Sequence, residues 1–237
     1  MLKFYYAPHT CALASHIALE QAGADYETVR VDFATNAQRT PEYLAINPKG
    51  RVPALVTDRG VLTETPAILQ FICQSYPHAG LAPLDDVFAL AQVQSFNSYL
   101  CSTLHVAHAH RMRGYRWADD PSAIAEMQRK APQAVGECFA LVEREMFKGP
   151  WVMGDTYGIC DMYLLRSRSG WRRTASISRS SRKSWITGVA CRNFPLSEGS
   201  WRRSWHSHSA RCHIAPGGSC ARHRCDIFPA CAPSAWW

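Results

Sequence analysis

Asn47-Pro48-Lys49-Gly50-Arg51-Val52-Pro53-Ala54-Leu55-Val56 decides the fold of this chain. Its first half is a polar, Pro/Gly-broken loop and its second half an apolar strand opened by a proline. A proline at that place leaves the N–H and C=O of the preceding residue, Val52, outside the sheet ladder and open to an extended peptide ligand. Pro53 is also a candidate for a cis peptide bond, with an ordinary strand start as the alternative. Downstream, Asp58-Arg59-Gly60 reads as a hairpin turn and Val61–Thr63 as its return strand. Glu64 to Tyr76 then carries apolar residues at Ile68, Leu69, Ile72 and Cys73, the spacing of a helix.

Upstream, Pro41–Ile46 reads as a short helix. Met1 to Tyr6 alternates and is rich in aromatics, like a strand, and Ala7-Pro8-His9-Thr10 breaks the run. A helix follows from Cys11, with Leu13, Ile17 and Leu19 at helical spacing, Thr10 as its N-cap and Gly23 at its stop. Tyr26–Val31 gives a second strand. The order is βαβ, short helix, ββα. Cys11 therefore stands at the first turn of a helix, where free N–H groups and the helix dipole favour a thiolate; the alternative is a small buried hydrophobe.

Pro77 to Asp86 has a linker's composition, and 87–115 and 121–147 are long helical patterns separated at Asp119-Asp120-Pro121. The expected organisation is a small α/β domain over 1–77 and a helical domain over 87–164. There is no internal repeat.

At 237 residues, 47% hydrophobic and 19% charged, the chain can bury a core, which excludes disordered and collagen-like classes. No run reaches the ~18 apolar residues of a membrane-spanning helix, and MLKFYYAPHT lacks the apolar stretch and cleavage site of a signal peptide. A cytoplasmic protein with its ten cysteines as thiols is the expectation, with no membrane partner. The net charge of +7 is an average over unlike halves. Residues 1–164 hold 13 Lys+Arg against 17 Asp+Glu, whereas 165–237 hold 13 against 2.

Strand-loop-Cys-helix, NPKGRVPALV, LTET at 62–65 before a helix, and GDTYGICDMYL at 154–164 occur in the order found in the glutathione S-transferases. The chain resembles that family over residues 1 to about 164, and the Cys at the first helix resembles its bacterial beta class. The resemblance implies a thioredoxin-like α/β N-terminal domain with an all-α C-terminal domain. It implies a transferase that uses glutathione as co-substrate to conjugate or reduce electrophilic small molecules. Cys11 matches the cysteine that contacts the glutathione sulfur and can form a mixed disulfide with it. Val52, before Pro53, matches the residue whose main chain pairs with the cysteinyl backbone of the tripeptide. Glu64 and Thr65 match the acid and hydroxyl that hold its γ-glutamyl end. His105 matches a histidine reaching the site from the partner of a homodimer, and Ser102 lies one turn before it. The tripeptide's ammonium and two carboxylates call for such an acid, oriented backbone groups and a hydroxyl or base near the sulfur.

Two positions depart from the family pattern. Ala12 follows Cys11 where a hydroxyl is common, and Asp161 at the capping-box position faces Gly158 instead of Ser or Thr. Tyr5 and Tyr6 read as strand core. His105, His108 and His110 do not share one face and have no carboxylate at ligand spacing, so no metal is expected. Cys73, Cys101 and Cys138 read as helix core.

Beyond Leu164 the helical periodicity stops and the diet changes: 12 Arg to one Lys, 14 Ser, six of the eight Trp and two Leu in 165–237. Arg for phosphate and Trp for stacking would suit nucleic acid, but the Cys and His of this segment fit no zinc spacing, and nucleic acid is not the expected partner. Arg, Ser, Trp, Cys, Pro and Gly are what GC-rich DNA yields out of frame. A GC-rich codon choice for Arg166 to Ser178, moved two letters on, spells LAQWLEADGIDL; the same frame allows QFPKVLDHR from Arg179 and VAEVL from Ser200. These words look like the family's last helices, so 165–237 reads as a frameshift product and the C-terminal helices as missing or replaced.

Overall fold

A computed structural model describes residues 1–174, with side chains through Ser167. The element order is β1 (Leu2–Tyr6), α1 (Ala12–Gln21), β2 (Tyr26–Arg30), α2 (Pro41–Ile46), β3 (Ala54–Thr57), β4 (Gly60–Thr63) and α3 (Thr65–Ser75). Five further segments follow: α4 (Val87–Tyr99), a π-helical turn at Leu100–Leu104, α5 (His105–Arg113), α6 (Pro121–Leu141) and α7 (Ile159–Thr174).

The four strands form one sheet in the order β2-β1-β3-β4. β1 and β2 are parallel and joined through α1, and β3 and β4 are antiparallel across a tight turn. β1 bridges the two pairs, with Phe4 opposite both Thr28 and Leu55. Because side chains alternate along a strand, Phe4 and Tyr6 point to one face and Tyr5 to the other. Phe4 and Tyr6 are buried against His16 of α1, with ring centroids 5.6 and 5.5 Å away, while Tyr5 meets Tyr43 of α2 at 5.9 Å. Both tyrosines thus pack as strand core.

α1 packs on α3 and on α7, so the thioredoxin-like layer and the helical layer share a single apolar cluster. Leu19, Leu55, Ile68, Leu69 and Ile72 fill its sheet side; Leu100, Leu104, Val135, Ile159 and Met162 fill its helical side. The long helical runs stand where periodicity places them, with two internal changes: the first is interrupted by the π turn at Leu100–Leu104 and the second ends in a π-helical turn at Val142–Met146.

The helix after Gly158 does not stop at Leu164 but runs to Thr174. No proline interrupts this stretch, arginine is a good helix former, and Ser167 Oγ donates back to the Tyr163 carbonyl at 3.0 Å. The helix start explains the departure at Gly158. A Cβ there would lie 2.6 Å from the Leu81 carbonyl oxygen, which already accepts the Ile159 N–H at 3.1 Å. Asp161 still closes the cap, accepting the N–H groups of Gly158 and Val152 at 2.9 Å each. The frame reading and the composition change over 175–237 lie outside the described residues. Among the described residues no helix is long and apolar enough to cross a membrane.

Candidate glutathione site

The loop before β3 is locked by its own polar groups. Asn47 is buried; its side-chain amide donates to the Arg51 carbonyl at 2.7 Å and its Oδ1 accepts the Lys49 N–H at 3.2 Å. The Tyr43 hydroxyl donates to the same Arg51 carbonyl at 2.6 Å. Gly50 turns the chain at φ +59°, and a Cβ there would meet Arg39 and the Gln38 carbonyl within 3 Å. This frame delivers Val52 and Pro53, both buried and joined by a cis peptide bond, to the end of β3.

Cys11 faces them across the sheet end. It occupies the cap position of α1, and its thiol donates to the Val52 carbonyl at 3.6 Å. Thr10, expected as the cap, turns its hydroxyl to the Ala7 carbonyl at 2.8 Å and receives only a long 3.4 Å bond from the Ala12 N–H. The expected lowering of the Cys11 pKa is also reversed. Burial pushes the thiol up and Glu64 adds to the rise, while a bond from Thr65, the charge of Arg166 and the local backbone pull it back. Desolvation outweighs the helix terminus here because burial disfavours the anion over the whole side chain.

Thr65, buried at the start of α3, lies close enough to the cysteine to lower its pKa. Glu64 precedes it at φ 72°, a left-handed conformation that costs a non-glycine residue roughly 1–3 kcal/mol and is concentrated at ligand sites. Its carboxylate is half-exposed; Oε1 takes the Lys49 ammonium at 2.6 Å, and Lys49 also donates to Thr63 Oγ1 at 2.7 Å. Cys11, Val52, Pro53, Glu64 and Thr65 therefore converge.

The helical wall differs from expectation. Ser102 is exposed and its hydroxyl donates to the Ser98 carbonyl on its own helix at 2.8 Å. Its neighbour in the π turn, Cys101, reaches the site instead. It is part-buried, packs against the core cluster as its helical setting predicts, and feels the charges of Glu64 and Cys11. His105 opens α5. Burial together with Arg166, Arg113, Arg51 and Arg116 of its own subunit lowers its pKa to about 4, leaving it neutral near pH 7. His108 falls to about 4 by burial and by His105, and its ring lies against Phe139, whereas His110 meets Trp117 edge-on at 4.4 Å. Among the described residues no group of His, Cys, Asp and Glu is arranged to hold a metal ion.

Cys101, Tyr163 and Arg166 escaped the sequence reading. The first two carry helical spacing that reads as core, and the third lies in the stretch whose composition breaks with the rest. Their place depends on the π turn and on α7 crossing α1, for which a single sequence has no periodic signal.

The sequence profile of the glutathione S-transferase N-terminal domain matches residues 1–74. The glutathione S-transferase GstA of Escherichia coli O157:H7 is 34% identical over 167 residues, covering 69% of this chain and 79% of its own. A solved glutathione transferase homologue from Sulfitobacter, with bound glutathione, superposes with a TM-score of 0.78 at 38% identity, over 87% of this chain and 98% of its own. The bacterial beta-class glutathione S-transferase of Sphingomonas chungbukensis superposes at 0.70 with 29% identity, over 87% and 98%. With a thiol, a strained acid and a cis-proline gathered at one sheet end, and relatives that match over most of their own length, this chain belongs to the glutathione S-transferase family.

Proposed function

We propose that this chain is a glutathione transferase whose Cys11 handles the sulfur of glutathione while the tripeptide lies along Val52–Pro53. The observation that carries this reading is the convergence of Cys11, the Val52 main chain, Glu64 and Thr65. The Val52 carbonyl keeps a lone pair beside the one that takes the Cys11 thiol, and its N–H supplies the complementary donor for the cysteinyl backbone. Glu64 keeps Oε2 for the γ-glutamyl ammonium while Lys49 holds Oε1. The first turn of α3 presents N–H groups to the γ-glutamyl carboxylate. In conjugation, the glutathione thiol loses its proton to solvent and its sulfur forms the new bond as the electrophile's leaving group departs. In reduction, the Cys11 thiolate attacks a glutathionyl disulfide, forming the mixed disulfide and releasing the other thiolate.

The partners in this reading are glutathione and a small electrophile, in a homodimer, with His105 beside the site of its own subunit, where Arg166 and Arg51 act on it. Val87 and Phe88, 84% and 74% exposed at the start of α4, support a surface covered by a second copy. The five described cysteines are free thiols, which supports a cytoplasmic setting. A shifted reading frame from about 165 is supported by the relatives, whose matches repeatedly span 69% of this chain, the share that residues 1–164 make up. Resequencing the gene around codons 160–170 tests it.

The functional test is retention on glutathione-agarose together with turnover of an aromatic halide, compared between the chain and Cys11→Ala. Retention with turnover supports the transferase reading. Retention without turnover identifies a glutathione-holding relative, and loss of both overturns the assignment.

A further inference from the structure

Arg166 sits on α7 one turn after Met162 and is only 9% exposed. A buried guanidinium needs its N–H groups satisfied, and here they go to main-chain oxygens of the cysteine loop. Nε donates to the Thr10 carbonyl at 2.6 Å and Nη2 to the His9 carbonyl. His9 is left-handed at φ 61°, a conformation disfavoured in a non-glycine residue, so the loop needs an outside hold. The fork grips two successive carbonyls immediately before Cys11, 156 residues away in sequence from Thr10. The same charge acts on Cys11, His105 and His108.

We propose that Arg166 is the positioning residue of the Cys11 site: its guanidinium fixes the His9–Thr10 carbonyls to α7 and holds a positive charge within electrostatic reach of the cysteine sulfur. This rests on the reading of Cys11 as the residue that handles the glutathione sulfur, and it concerns the chain as it stands, since a restored frame from about 165 would replace Arg166. The other groups around that sulfur are Glu64 and Thr65 at the start of α3, Cys101 in the π turn, Arg113 at the end of α5 and Tyr163 on α7. Glu64 works against the thiolate, and Arg113 and Arg166 work for it. Arg166 alone of the two cations is also bonded to the loop that carries the cysteine. The role asks for a fork as well as a charge, so lysine is only a partial substitute.

The test is the pH profile of iodoacetamide alkylation at Cys11, read peptide by peptide by mass spectrometry in the full chain, for wild type, Arg166→Gln and Arg166→Lys. Arg166→Gln is expected to move the midpoint up by about one pH unit. Arg166→Lys keeps the charge and the midpoint but loses the fork, so amide hydrogen exchange in the peptide spanning His9 to Leu13 is expected to speed up several-fold. An unmoved midpoint in a folded Arg166→Gln, or unchanged exchange in Arg166→Lys, overturns the proposal. Should Arg166→Gln not fold, the exchange in Arg166→Lys decides alone. Failure of the functional reading is separate: glutathione would then leave wild-type Cys11 unprotected, while the midpoint shift in the variant would persist.

Discussion

The site has two walls built on different physics. On the sheet side, Val52, Pro53, Glu64 and Thr65 are held by short-range devices: a turn glycine, a buried Asn47 bonding its own loop, and a strained residue directly before a helix. On the helical side, Cys101, Tyr163 and Arg166 arrive through a π turn and through a helix that meets α1. The first wall survives changes elsewhere in the chain because its order is local. The second depends on α7 holding its place, and α7 continues into the stretch whose composition departs from the rest of the protein.

The largest effect that would break this contrast is at Cys11, where the walls meet. Cys11→Ala is expected to lower glutathione-dependent disulfide exchange about 100-fold or more, the scale of removing a group that acts on the reacting atom. A coupled assay with a mixed disulfide of glutathione reads this directly, and near-normal exchange would place the chemistry on another thiol, with Cys101 the first to examine. Glu64→Gln tests the sheet wall alone. Losing the charge that faces the ammonium should weaken glutathione by about 1.5–3 kcal/mol in calorimetric titration. Thermal stability should hardly change, because an exposed pair such as Lys49–Glu64 contributes only ~0–1 kcal/mol.

Gly158→Ala tests the helical wall alone. A Cβ 2.6 Å from the Leu81 carbonyl must displace backbone, and a loss of about 1–3 kcal/mol in denaturant unfolding is expected. If the two walls are mechanically separate, that variant keeps most of its glutathione affinity while losing activity through α7.

The smallest expected effect is a pH trend. His105 and His108 have folded pKa values near 4 against an ordinary 6.5, so the unfolded chain binds more protons as pH falls between those values. Their contribution is complete above pH 6.5 and is lost as pH falls toward 4. Asp161 opposes it: burial raises its carboxyl to about 6, so its contribution is present at low pH and lost as pH rises through about 4–6. Two groups against one leave a net loss on acidification. Melting temperatures measured from pH 7.5 to 4.5 should show it, and His108→Gln should flatten the slope; an unchanged slope would mean that His108 is not held neutral in the folded protein.

Glu64 and Thr65 came from the family resemblance, while residue order by itself determined the βαβ–helix–ββα layout, the hairpin at Asp58–Gly60, the cis-proline candidate and the places of Cys11, Val52 and Pro53 at the sheet end. Each is written in a period of two or 3.6, a turn dipeptide or a proline, and such signals act within a few residues. Tertiary structure decided the rest. It made Cys11 a part-buried thiol whose pKa is raised by desolvation, brought Cys101 within reach of the charges of Cys11 and Glu64, and carried α7 past Leu164 so that Arg166 reaches Thr10. The reason is physical: desolvation, a register change in a helix and a contact across 156 residues depend on what surrounds a group, and no local pattern records that.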